Sequence, residues 1–215
     1  MKLKNKKSRL NCPLCNKKGK GLFDLKKNFL FQYPCKDYNK NKYNIDTSFS
    51  FCNKCLHAYL SKIPSPLVIK NYYKNYYSNC TVSQKNIEFD HTIEANRNYK
   101  KEIFKFKYKP SIVDVGGFDG SFVHNMRKIT SNCLVIEPCK KAADLAKKRR
   151  LKVINDFLSK EVTSKYKNKF DLLTARHVIE HLKNPRRFIL ELTNLVKKEG
   201  KIIIETPSLQ KMFLT

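Results

Sequence analysis

Two pairs of cysteines, Cys12-Pro13-Leu14-Cys15 and Cys52-Asn53-Lys54-Cys55, repeat the same two-residue gap. That gap lets two thiolates and their backbone N–H groups wrap one side of a tetrahedral ion, so the four together predict one closed zinc site made of four thiolates, which leaves no open position for catalysis. Cys35 between the pairs and His57 just after the second are alternative ligands, though neither fits the paired spacing as well. Cys80, Cys133 and Cys139 read as unligated thiols, Cys133 opening an apolar run in which cysteine acts as a small hydrophobe. The second stretch with chemistry in it is Ile112-Val113-Asp114-Val115-Gly116-Gly117-Phe118-Asp119-Gly120-Ser121-Phe122. An apolar strand, a glycine-rich turn and a helix start put backbone amides at the carboxyl edge of a sheet, where doubly wound folds bind ligands. Gly116 and Gly120 permit the dihedrals and close approach that larger residues forbid. A further strand, Leu134-Val135-Ile136, ends at Glu137. That is roughly the 20-residue offset at which an acidic residue takes ribose hydroxyls, a solvated glutamate after a strand being the lesser alternative.

These residues need a scaffold, and the pattern supplies one. From about residue 86 an expected helix over Ile87 to Lys107 is followed by short apolar runs at Ser111–Val115, Cys133–Glu137, Lys152–Ile154, Phe170–Thr174 and Lys201–Glu205. Charged helical stretches near 120–130, 140–150, 157–166 and 184–198 lie between them. The alternation predicts an α/β fold: a Rossmann-like, doubly wound, mostly parallel sheet with helices on both faces, joined by right-handed crossovers. Residues 1–85 have a different texture, rich in Lys, Asn and Tyr with little helical periodicity, and read as a small zinc-stapled domain ahead of a second domain over 86–215.

The whole chain has 215 residues, 41% of them hydrophobic, which is enough for a core and excludes a wholly disordered chain. No run reaches the roughly 18 to 20 apolar residues of a membrane helix, and the basic start is not followed by a signal core, so a cytoplasmic protein is expected. The formal charge of +27 suits an anionic partner such as nucleic acid, a membrane surface or a nucleotide-linked substrate. Only eight of the 45 cations are arginine, however, the residue that bidentate phosphate recognition favours, and A/T-rich coding drift gives the same profile.

The second half of the chain resembles the class I S-adenosylmethionine-dependent methyltransferases. Asp114-Val115-Gly116-Gly117-Phe118-Asp119-Gly120 is similar to that family's D/E-x-G-x-G-x-G motif, with Phe118 where the middle glycine usually stands and Asp119 matching a variant found in sugar C-methyltransferases. The resemblance implies that the turn around Gly116, Gly117, Asp119 and Gly120 packs on the methionine portion of the cofactor and that Asp114 orients its amino group. It further implies that Glu137 takes the ribose hydroxyls and that Asp156 and Phe157 meet the adenine, Phe157 being equally well explained as core. The segment from Phe170 through Ala175, His177, Glu180 and His181 to Pro185 resembles the fourth-strand motif of a large methyltransferase subfamily, and Leu195 to Pro207 resembles the stretch that follows it. Ala175 then joins the cofactor-binding residues. His177 and His181, one turn apart on an expected helix, read either as a metal or proton-transfer pair or, with His181 and Glu180 as a structural cap, as a single His177 facing the cofactor.

A cysteine segment ahead of this fold is also similar to bacterial methyltransferases of surface-polysaccharide and deoxysugar pathways, where an aromatic stretch follows the second cysteine pair. Here it is Tyr72-Tyr73-Lys74-Asn75-Tyr76-Tyr77-Ser78. The resemblance makes Tyr76 an acceptor-side acid, base or hydrogen-bond donor; the alternative is that these tyrosines join the two domains. In the sugar enzymes a catalytic Glu-His pair follows the fifth strand, and no matching residues exist in this sequence. The last two strands of the usual seven are not recognisable either, so a carboxyl-truncated member is expected. The leading expectation is methyl transfer to a small, sugar-linked acceptor, with His177 or Tyr76 as catalytic residue. An RNA methyltransferase and a non-catalytic zinc-stabilised binding module are the alternatives.

Overall fold

The computed structural model describes residues 7–8, 11–29, 44–63 and 89–207. Cys35, Cys80 and Tyr76 lie outside them. The chain divides into two compact units, Met1–Val82 and Ser83–Thr215.

The first unit is an antiparallel sheet that the sequence pattern did not announce. Its strands are β1 (Lys7–Ser8), β2 (Lys20–Phe29), β3 (Asn44–Cys52) and β4 (His57–Ile63), in the order β1-β4-β3-β2. Register shifts in the β2–β3 ladder, between Gly21 and Phe23 and between Leu25 and Asn28, break the two-residue alternation that would have marked β2 as a strand.

The second unit begins with α1 (Phe89–Phe104) and then alternates: β5 (Ser111–Val115), α2 (Ser121–Met126), β6 (Asn132–Ile136), α3 (Lys140–Lys148), β7 (Lys152–Ile154), α4 (Lys160–Lys165), β8 (Phe170–Arg176), a single 3₁₀ turn (Ile179–His181), α5 (Pro185–Leu195) and β9 (Val196–Glu205). The five strands are parallel throughout and lie in the order β7-β6-β5-β8-β9. This is the expected Rossmann-like, doubly wound sheet. Strands covered on both faces read as continuous apolar runs, and every residue of β5 is buried.

Alternate residues feed two cores. Val113, Val115, Leu134, Ile136, Leu173 and Ala175 pack with Phe188, Leu192 and Leu195 of α5 on one side. Ile112, Val135 and Leu172 pack with Tyr99 and Ile103 of α1 and Phe122, Val123 and Met126 of α2 on the other. The helices are shorter than the charge pattern suggested, and each end has a local cause. Ser159 caps α4 by accepting from the Val162 amide at 3.4 Å, leaving 157–158 outside the helix. Asn184 caps α5 at the Arg187 amide with Pro185 in the first turn. The same helix stops at Leu195 rather than 198 because Val196 already pairs with Phe170. Among the described residues no helix is long and apolar enough to cross a membrane.

At the amino end of β8, Asp171 ties the sheet together. Its carboxylate accepts from the Ser111 amide at 2.8 Å, the Ser111 hydroxyl at 2.7 Å, the Tyr108 hydroxyl at 2.9 Å and Lys197 Nζ at 2.8 Å. Burial alone would raise its pKa, but the Lys197 ammonium and the Ser111 and Tyr108 donors together hold it down at about 2. A carboxyl depressed in the folded state stabilises the fold above the ordinary carboxylate range and loses that contribution as pH falls toward about 2. Asp171→Ala should therefore lower stability at neutral pH by about 2–4 kcal/mol in urea unfolding, and its acid unfolding should lack the part of the wild-type loss that falls between roughly pH 4 and 2.

Candidate active site

The strand order reverses at β5, between β6 on one side and β8 on the other, and the crevice beyond the carboxyl ends of strands at such a point is where this architecture receives ligands. The glycine turn lies there. Gly116 has φ 74° and donates to the Ile136 carbonyl at 2.8 Å, while Gly120 has φ 71° and starts α2. Neither tolerates a side chain: a Cβ on Gly116 would overlap Val178 Cγ2, and one on Gly120 would stand 2.5 Å from Leu151 Cδ1 and 2.9 Å from Ala146 Cβ. Phe118, at the position where the resembled motif has its middle glycine, is also left-handed with φ 52°. Its backbone thus explains why glycine is usual there, and a phenylalanine bears the strain instead.

Beneath the turn is Asp114, 1% exposed. Thr174 Oγ1 donates to its Oδ1 at 2.7 Å and Arg176 Nη2 to its Oδ2 at 3.2 Å. Gly117 makes this possible, since a Cβ there would be 3.0 Å from Asp114 Oδ2. The Arg176 guanidinium lies 4.1 Å from the Phe122 ring centre and 5.8 Å from that of Tyr99. At the end of β6, Glu137 is 6% exposed; its Oε2 accepts from the Phe118 amide at 2.9 Å and its Oε1 from the Cys139 amide at 2.8 Å. Burial pushes its carboxyl above the usual range, against the opposing pull of those two amides. Asn155 Nδ2 donates to the Glu137 carbonyl at 2.9 Å, tying the end of β7 to the same corner.

The other residues singled out from sequence stand as follows. Asp119 is buried, with Oδ1 accepting from the Ser121 amide at 3.0 Å and Oδ2 from Arg149 Nη2 at 2.7 Å, so both oxygens are already bonded within the fold. Asp156 is exposed and accepts from the Phe157 amide at 2.7 Å; Phe157 is 53% exposed. Phe157 is therefore not core. Ala175 is fully buried in β8 and paired with Ile204.

His177 follows β8 in a left-handed conformation, φ 52°, and its amide donates to the Glu205 carbonyl at 2.9 Å. The expected helix carrying both His177 and His181 is absent: only the 3₁₀ turn Ile179–His181 forms, because His177 is left-handed and Leu182 is already extended. Glu180 faces His177, its Oε1 lying 3.6 Å from Nδ1, while Glu205 Oε1 lies 3.3 Å from Nε2. The Glu180 and Glu205 carboxylates together raise the His177 pKa above its ordinary value. Glu205 in turn accepts from the buried Tyr99 hydroxyl at 2.9 Å. Sequence reasoning missed Tyr99, Thr174, Arg176 and Glu205. Thr174 is the register partner of Asp114 and Arg176 that of Glu205, so strand alignment carried a signal for three of them, whereas nothing local pointed to Tyr99.

The first unit holds its own cluster. The sulfurs of Cys12, Cys15, Cys52 and Cys55 all lie within 4.8 Å of one another, and Cys12 and Cys52 are buried. Each pair is followed at once by a left-handed residue, Asn16 with φ 58° and Leu56 with φ 49°, so the two turns are built alike. The Lys17 amide lowers the Cys15 thiol to about 7, and hydrogen bonding with Cys15 raises Cys55 to about 12, so thiols this close do not ionise together unaided. Four sulfurs at this spacing fit a tetrahedral ion at roughly 2.3 Å from each.

Residues 89–214 match the family model described as a methyltransferase domain, and the chain belongs to that family. Among curated proteins it is similar to the mitochondrial ubiquinone biosynthesis O-methyltransferase of Schizosaccharomyces pombe, 26% identical over 132 residues. That match covers 55% of this chain and 47% of the relative, so the chain spans about half the length of the curated relative it matches. Solved structures similar to it include an S-adenosylmethionine-dependent methyltransferase of Archaeoglobus fulgidus, with TM-score 0.46, 18% identity and coverage of 54% of this chain and 53% of the other. Another is an S-adenosylmethionine-dependent methyltransferase of Mesorhizobium loti, with TM-score 0.45, 16% identity and coverage of 54% of each chain.

The crowding at Gly116 is directly testable. Gly116→Ala should destabilise the second unit through a left-handed alanine, about 1–2 kcal/mol, and through the clash with Val178, about 1–3 kcal/mol more. Adding Val178→Ala should relieve only the second part, which a double-mutant cycle in thermal or urea unfolding measures.

Proposed function

We propose that the chain binds S-adenosylmethionine in the crevice above β5 and β6 and transfers its methyl group to a small acceptor. The observation that carries this reading is the joint between the glycine turn and Glu137: the Phe118 amide bonds the Glu137 carboxylate, so the turn and the acid at the ends of adjacent strands are already one unit. Each Glu137 oxygen has one amide donor and lone-pair capacity left for hydroxyl donors, which suits a ribose. Asp114, ion-paired with Arg176 beneath the turn, is the candidate to orient the cofactor's amino group. When bound, the cofactor supplies a methyl group on a positively charged sulfur. The protein's part is to hold the acceptor in line with it, chiefly a gain of proximity, and to receive a proton where the acceptor must lose one. His177 serves as that base, exposed at the carboxyl end of β8 with its two nitrogens flanked by carboxylates.

For the acceptor we favour a hydroxyl on a sugar-linked metabolite. The paired cysteines ahead of the domain resemble those of sugar-modifying methyltransferases, and the curated relative is named as an O-methyltransferase. Tyr76 stays a candidate on the acceptor side. In the first unit the four cysteines hold a structural zinc, which their mutual spacing supports.

Titration of the metal-replete protein with S-adenosylmethionine in a calorimeter tests the cofactor site. Glu137→Ala should weaken binding roughly ten- to a hundredfold with the fold retained by circular dichroism, the range expected for losing hydrogen bonds to a charged group. Equal affinity in the variant, or no binding by the folded wild type, would refute the reading. For the zinc, metal analysis should give one ion per chain, and Cys52→Ser or a strong chelator should remove it and melt the first unit's strands.

A further inference from the structure

We infer that Glu205 is a positioning residue for His177: tethered by Tyr99, it holds a carboxylate against the imidazole and so readies it to take the proton in methyl transfer to a hydroxyl. This rests on the methyltransferase reading above and assigns the acceptor side of the same site.

The backbone places the pair. Parallel pairing sets Arg176 opposite Glu205, and the next amide, that of His177, donates to the Glu205 carbonyl at 2.9 Å. The two side chains therefore leave neighbouring strand ends together. Glu205 Oε2 is held by the Tyr99 hydroxyl at 2.9 Å. Tyr99 is only 4% exposed, its ring edge-on to Phe122 at 4.9 Å, so the tether is rigid. The remaining oxygen, Oε1, stands 3.3 Å from His177 Nε2.

Four titratable or charged groups face the imidazole among the described residues. They are Glu205 from β9, Glu180 and His181 from the 3₁₀ turn, and Arg176 from β8, whose own charge is matched by Asp114. Behind Glu205 stands the Tyr99 phenol, which burial and the Glu205 charge keep protonated and donating. Glu205 Oε1 at Nε2 and Glu180 Oε1 near Nδ1 set a carboxylate beside each ring nitrogen, an arrangement that favours the protonated imidazole. In the transfer the acceptor oxygen bonds the methyl carbon and the carbon–sulfur bond breaks with its electron pair going to sulfur. The hydroxyl proton passes to the His177 imidazole, and Glu180 and Glu205 stabilise the imidazolium. The His177 side chain is 58% exposed, open to an incoming acceptor.

The test is a histidine-resolved NMR pH titration of the full chain, with the His177 signal assigned through His177→Gln. Wild-type His177 should titrate above 6.5. In Glu205→Gln its pKa should fall, a charged neighbour having been lost. Tyr99→Phe should give a smaller fall by freeing the carboxylate, and Glu205→Asp should restore part of the shift. A His177 titration unchanged in both Glu205→Gln and Tyr99→Phe would overturn the inference. Calorimetry with S-adenosylmethionine on the same samples separates the two claims: absent binding in the wild type refutes the cofactor reading, whereas unaltered binding in Glu205→Gln is the result expected here.

Discussion

One buried charge organises the second unit. Asp114 sits inside the sheet, where an unpaired carboxylate would be prohibitively costly, and it is tolerated because Thr174 and Arg176 reach it from the adjacent strand. That requirement fixes much around it. Thr174 and Arg176 must be two residues apart on one face of β8, Gly117 must lack a Cβ, and the turn must fold back over the carboxylate rather than run on. Arg176, drawn inward, then leans on the rings of Phe122 and Tyr99 from two helices on that face. A single ionic group thus aligns two strands, a turn and two helices.

From that centre the site extends both ways along the strand ends. Toward β6 it meets Glu137, whose two oxygens bind one amide from the turn and one from the start of α3. Toward β9 it meets Tyr99, Glu205 and His177. The division matches the proposed roles, with a nucleoside-recognising corner on one side of the strand-order reversal and proton chemistry on the other. Arg176 stands between, so the two halves share structural support although their functional groups are distinct.

Most of the second unit was legible because its physics is local. Strands such as Ser111–Val115 and Lys152–Ile154 are short, apolar and bounded by turns, so their positions follow from composition alone, and the two glycines with positive φ lie where a strand must turn sharply into a helix. Legibility failed where the cause lay elsewhere in the chain. His177 and His181 have helical spacing, yet the pairing of β8 with β9 pulls the His177 amide to Glu205 and permits one 3₁₀ turn only. Tyr99 meets Glu205 from 106 residues away, a contact no spacing rule anticipates. In the first unit, bulges along β2 scramble the alternation by which a strand is recognised, so the cysteine pairs were readable and the sheet presenting them was not.

The left-handed Phe118 bears on when the turn becomes ordered as well as on stability. A glycine at that position would leave the loop free to wander in the ligand-free protein, because its backbone has little preference between hands. A phenylalanine is strained in this conformation, and the bond from its amide to Glu137 holds it there. The entropy of ordering the turn has then been spent during folding rather than at each encounter with a ligand. The order of the turn thus belongs to the folding reaction itself, one hydrogen bond holding it against the preference of its own backbone.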